Sequence, residues 1–235
     1  MKRFYKEASY RQDGDEFIVE LDKKPVKTQS GRLLVAPSKT LAGSVVKEWE
    51  DQKETIDPES MLLTQLLNTA IDRSGPQRKE IEATVLKYMN TDLLCYRAPD
   101  PEELVTRQTE QWDPWMTWFD QHYGVKLLTT KGLDALTQPD EAHKRVLNYM
   151  QALDPHDFTV MHVVVSLSGS VILGLAFMEG ELEPEEIFDL AFLEERYHGE
   201  LAGEDEHGQD PAQKKAHDSV KAELKAAQQY QSLLH

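Results

Sequence analysis

The chain has 235 residues, 40% hydrophobic and 29% charged, enough for one large domain or two small ones with a real core. Its net charge of −16 argues against a nucleic-acid partner, because phosphate backbones call for a basic face. A single cysteine excludes an internal disulfide, and the opening "MKRFYKEASY" lacks the apolar stretch of a secretory signal and the pattern of a transit peptide. These features fit a bacterial cytoplasmic protein, or a mature matrix protein in a eukaryote.

The first third reads as β. Phe17 to Leu21 alternates, with Phe17, Val19 and Leu21 on one face and Ile18 and Glu20 on the other. Turn signals follow at Asp22-Lys23-Lys24 and Ser30-Gly31, then a second short strand, "RLLVAP", ending at Pro37. Strands this short and hairpin-like predict a mostly antiparallel sheet. Ser38 reads as a helix N-cap, with Leu41, Val45, Val46 and Trp49 at helical spacing behind it.

Helical patterning dominates the rest. Helices are expected from Pro58, from about Pro76 to Met89, and from Pro101 behind Asp100. The pair Asp113-Pro114 repeats that starting grammar. The run Val160–Met178 is nearly long enough to span a bilayer, but its His162, Ser166, Ser168 and Ser170 predict a buried central helix and no membrane insertion. Gly169, Ser170 and Gly174 would let another helix approach closely. The expected fold class is α+β. A small N-terminal mixed α/β domain, residues 1–58, precedes a C-terminal α-helical bundle, residues 59–235.

Negative charge is concentrated late. Glu179 to Asp210 holds thirteen acidic residues against one arginine, Arg196. That segment is either a solvated acidic helix and loop, or a docking surface for a basic or amide-rich partner.

Few residues suggest catalysis. Cys95 lies between Leu94 and Tyr96 in "MNTDLLCYRA" and reads as packed and inert, with a nucleophile as the alternative. The pairs Glu195/His198 and Glu204/His207 have the i, i+3 spacing of di-iron bundles, but they are not on two facing helices and glycines separate them. Trp112, Trp115, Trp118 and Phe119 form an aromatic stripe that serves core packing or an exposed patch. Phosphate-binding, zinc-protease and nucleophile-elbow motifs are all lacking, so no cofactor is expected.

Several stretches together resemble one family. They are "RFYKEASY", "LDKKPVKT", "LVAPSKTLA", "EWEDQ", "IDPESMLLTQLLNTAID", "YMNTDLLCYRA", "QWDPW", Gln138-Pro139, "SGS" and "LEERYHGELAGED", in order over nearly the whole chain. The family is the assembly chaperone of the catalytic sector of F-type ATP synthase, the Atp-twelve family. "LTQLLNTAID" and "DLLCYRA" are its most specific pieces, since no generic periodicity produces them.

The resemblance implies a non-enzymatic chaperone that holds the unassembled α subunit of that sector until it meets its β partner. With no phosphate-binding loop in the sequence, that role is expected to be ATP-independent, and the chain is expected to be a monomer. The resemblance implies an N-terminal mixed domain and a C-terminal helical one. It also places a functional acidic pair at Glu194 and Glu195, with Glu204 and Asp205 matching a downstream acidic motif after Gly203. Two positions depart from the family pattern: Ala202 stands where an aromatic is usual, and Leu62 where a proline is common. The rival readings are a metal-dependent enzyme using Glu and His of the helical half, and a generic acidic adaptor.

Overall fold

The computed structural model describes residues 1–203 and 210–234. Its strands are β1 (Ala8–Asp13), β2 (Glu16–Leu21), β3 (Lys24–Pro25) and β4 (Val35–Ala36). The helices that follow are α1 (Lys39–Asp51), α2 (Leu62–Thr69), α3 (Arg78–Tyr88), α4 (Glu102–Tyr123), α5 (Asp140–Ala152), α6 (Pro155–Ser168), α7 (Val171–Met178), α8 (Pro184–Ala191), α9 (Leu193–Leu201) and α10 (Pro211–Ser232). This is the expected α+β order, a small antiparallel sheet and then helices. Two compact units divide the chain. The first gathers Met1–Lys79, Leu153–Val160 and the residues from Lys225 on; the second holds Glu80–Ala152 and Met161–Leu224.

In the first unit β2 pairs antiparallel with β1, β3 and β4. The β2–β3 hairpin turns on Asp22 (φ 47°) and Lys23 (φ 64°), a left-handed pair that matches the strand twist. The Asp22 carboxylate accepts the backbone N–H groups of Lys6 and Glu7, each at 3.0 Å, which fixes the turn. The central position of β2 changes the expected alternation. Ile18, Val19 and Leu21 are all buried, and the buried Glu20 is held by Arg11 Nε at 2.8 Å.

Helix α1 packs on β1 and β2 through Leu41, Ala42, Val45 and Val46, and Ser38 caps it as expected, accepting Leu41 N–H at 3.1 Å. Glu48 extends from α1 to cap the next helix. It accepts Leu63 N–H and Thr64 N–H at 2.8 Å and the Thr64 hydroxyl at 2.7 Å. The later pieces of this unit are tied by polar contacts. Arg78 stacks 3.8 Å over Phe158, and His156 Nδ1 shares a 2.7 Å hydrogen bond with the buried Tyr230 hydroxyl.

The second unit is helical. The apolar run Val160–Met178 is not one helix: Gly169 takes φ +68° and Ser170 caps a new helix, accepting Leu173 N–H at 3.1 Å. A Cβ on Gly174 would sit 2.5 Å from Val165 Cγ2, so the glycine lets α7 approach α6 closely. Asp113-Pro114 does not restart a helix either. α4 runs unbroken through Pro114, because its buried face, with Leu104, Gln108, Trp112 and Phe119, is packed along its length. No described helix is long and apolar enough to cross a membrane.

Candidate functional site

The segment "TDLLCYRA" is built around Asp92. This carboxylate is fully buried and accepts four hydrogen bonds: Leu94 N–H at 3.1 Å, Ser170 Oγ–H at 2.8 Å, Val171 N–H at 2.7 Å and Ile172 N–H at 3.2 Å. It thus caps both its own short 3₁₀ turn, Leu93–Cys95, and the start of α7. Burial pushes its carboxyl up to about 6, against the four hydrogen bonds that pull it down. Cys95 is buried, and its thiol is pushed far above the usual range by burial and by the charge of Asp92. Its sulfur accepts a 3.4 Å bond from Gln138, and an undissociated thiol in such a place is no nucleophile.

Arg97 closes the segment. Its guanidinium donates to Leu94 O at 2.7 Å, pairs with Asp113 at 2.9 Å and lies 5.3 Å over the Trp112 ring. Trp112 is wholly buried and donates its indole N–H to Leu190 O at 3.0 Å, while Phe119 is also core. Trp115 and Trp118 are half-buried, so the aromatic stripe is core at its inner edge.

The acidic end is carried by α8, α9 and α10. Helix α8 begins with Glu183 and Glu186 in a capping box. In α9 the adjacent Glu194 and Glu195 diverge by the helical turn of one residue. Glu194 is half-buried and accepts the side-chain amide of the buried Gln108 on α4, whose oxygen in turn accepts Ala98 N–H at 2.8 Å. Glu195 is exposed. Its Oε1 accepts Gln213 Nε2–H at 2.8 Å and His217 Nε2–H at 2.9 Å, both from α10. His217 is buried, edge-on between Phe188 and Phe192. Further along α9, Glu200 pairs with Arg107 at 2.7 Å, and Arg107 also reaches Glu103 at 2.9 Å. Glu204 and Asp205 lie outside the described residues.

Three comparisons bear on this arrangement. The model of the ATP12 chaperone protein family matches residues 2–120. The chain belongs to the ATP12 chaperone family. It is 27% identical to the mitochondrial protein atp12 of Schizosaccharomyces pombe over 208 residues, covering 83% of this chain and 72% of that one. The structure of Atp12 from Paracoccus denitrificans is similar, with a TM-score of 0.88, 30% identity, and 100% and 98% of the two chains covered. The Atu1473 protein of Agrobacterium tumefaciens is also similar, at TM-score 0.90 and 35% identity over 100% of this chain and 86% of that one.

For this ATP12-family chain, the motifs that carried the resemblance turn out to be fold-determining contacts. "DLLCYRA" supplies Asp92 and Arg97, "QWDPW" supplies Asp113 to Arg97, and Gln138 of the "QP" pair donates to Leu128 O at 2.9 Å and to Cys95. "EWEDQ" supplies Glu48, and Gln52 Oε1 accepts Asp57 N–H at 2.7 Å. The sequence pairing of Glu195 with His198 is not the one formed: Glu195 bonds His217 instead. Among the described residues no three His, Cys, Asp or Glu side chains converge as a metal site would require. Sequence reading missed Gln108, Gln213, His217 and Arg107. The only signal for His217 was its place on the apolar face of a charged helix, which does not name a partner.

Proposed function

We propose that the chain is an ATP-independent holdase that binds the unassembled α subunit of the F-type ATP synthase catalytic sector and delivers it to the β subunit. It acts as a monomer, without cofactor or catalysis, in the bacterial cytoplasm or an equivalent matrix. Membership of the ATP12 chaperone family supports the assembly role. The single observation that supports an acidic contact surface is the geometry of Glu195. Both of its bonds land on Oε1, and Oε2 has no bond among the described residues.

An unassembled ATPase subunit exposes part-apolar, part-charged surface that aggregates. A holder needs a complementary contact of modest affinity, so that the true partner displaces it. Glu195, preset by α10, offers such a carboxylate oxygen to a client arginine or lysine, or mimics an acid of the incoming β subunit. Glu194, anchored to α4 through Gln108, is proposed to contact the client as well, as are Glu204 and Asp205 of the downstream acidic motif in the sequence.

The test is affinity capture of purified α subunit by wild-type chain, by Glu195→Lys and by Glu195→Gln. Capture is expected to fall about tenfold or more for the lysine variant and less for the glutamine one. Equal capture by all three would remove the acidic surface from the client interface.

A further inference from the structure

We propose that a groove in the first unit docks an extended, acidic segment of a protein partner, apart from the acidic end of the second unit. The groove has a cavity volume of about 400 Å³. Its apolar lining includes Phe4, Tyr5, Pro25 and Trp49, and Lys24 and Lys27 stand on its wall.

Two large apolar side chains, Met1 and Phe4, line this groove while 77% and 64% exposed. Such side chains sharing one concavity mark an interaction site more often than chance exposure does. The floor is fixed in advance: Tyr5 donates its hydroxyl to Trp49 O at 2.6 Å, and the two rings meet at 5.6 Å. A rigid floor lowers the ordering cost of binding.

Charge then selects the occupant. The protein carries −16 overall, yet the charged side chains that line the groove are two exposed lysines, Lys24 and Lys27, and one acid, Asp22. The Asp22 carboxylate beside them already accepts two backbone N–H groups. An apolar floor with a cationic wall fits a peptide whose aromatic or aliphatic side chain sits on Phe4 and Trp49 while flanking Asp or Glu reach Lys24 and Lys27. The concave shape favours a chain segment over a flat lipid surface.

The probe is a fluorescein-labelled ten-residue peptide alternating Leu or Phe with Asp or Glu, followed by anisotropy against the full chain. Its control is the same peptide with Lys at the acidic positions. The acidic peptide is expected to bind about tenfold tighter or better, and to weaken as salt rises. Lys24→Glu with Lys27→Glu should remove that preference, and Phe4→Ala should weaken binding several-fold. Reversal at Lys144 and Lys215 in the second unit should change nothing. All five positions are exposed, and circular dichroism checks that each variant folds. Glu195→Lys should leave peptide binding intact, so failure of the groove and failure of the acidic surface are separable. Equal binding of both peptides, or indifference to the Lys24/Lys27 reversal, overturns the proposal. So does affinity confined to phosphatidylserine vesicles, or a dimer that the reversal dissolves.

Discussion

Ser170 donates its hydroxyl to the buried carboxylate of Asp92 at 2.8 Å, and the same carboxylate accepts the backbone N–H groups that open α7. One side chain 78 residues away thereby stops an apolar run from continuing as a single helix. Asp92→Ala would leave three backbone donors and a hydroxyl unmatched in the core. It should destabilise the fold by about 3 kcal/mol, read as a lower urea midpoint.

Asp92 also predicts a pH dependence. Its carboxyl is pushed from 3.8 up to about 6 in the fold, so the folded state holds this proton more tightly than the unfolded chain does. The contribution of Asp92 is therefore most favourable below about pH 4. It declines as pH rises to about 6, by about 3 kcal/mol for a shift of this size. Asp92→Asn should flatten that part of the urea stability profile. An unchanged slope between wild type and variant would contradict the assignment.

His156 works in the opposite direction. Burial lowers its pKa from 6.5, against the pull of Asp154, Asp157 and Glu16, so the fold favours the neutral ring beside Tyr230. Its contribution is fully present above pH 6.5 and is lost as pH falls through the folded value. Replacing it by Phe should shallow the acid limb of the stability curve, measured by thermal unfolding from pH 7 to pH 5.

The two adjacent acids should separate by experiment. Glu194→Ala removes the partner of the buried Gln108 amide and should cost about 1–2 kcal/mol in chemical denaturation. Glu195→Gln, which keeps an acceptor oxygen for His217 and Gln213, should shift stability less than Glu194→Ala does. Glu195→Lys also takes the acceptor from the buried His217, and is compared for client capture only after its fold is checked.

Cys95 should be silent to thiol reagents in the native chain, because the sulfur is buried and its thiol is held protonated. Titration with a chromogenic disulfide should show no fast phase until denaturant is added. A stoichiometric native reaction would contradict the packing described.

Local signals were the legible part of the sequence. Ser38 capped α1 as its position before Leu41 implied, and the hairpin followed from Asp22-Lys23 between alternating residues. The errors arose where distant residues decide. Nothing near Val160–Met178 announces that Asp92 accepts the N–H groups of Val171 and Ile172. The aromatic stripe around Pro114 allowed core packing, but it could not show that Trp112 would be buried deeply enough to carry α4 past a proline. At the acidic end, composition found the charge, but it could not show that Glu194 turns to α4 while Glu195 turns to α10. That divergence depends on which helices pack on either side of α9.

The most direct measurement is co-expression of the chain with the α subunit alone and with the β subunit alone, from one organism and without added nucleotide. The account predicts that α becomes soluble and co-elutes with the chain while β does not. Rescue of both equally, or of neither, would contradict it.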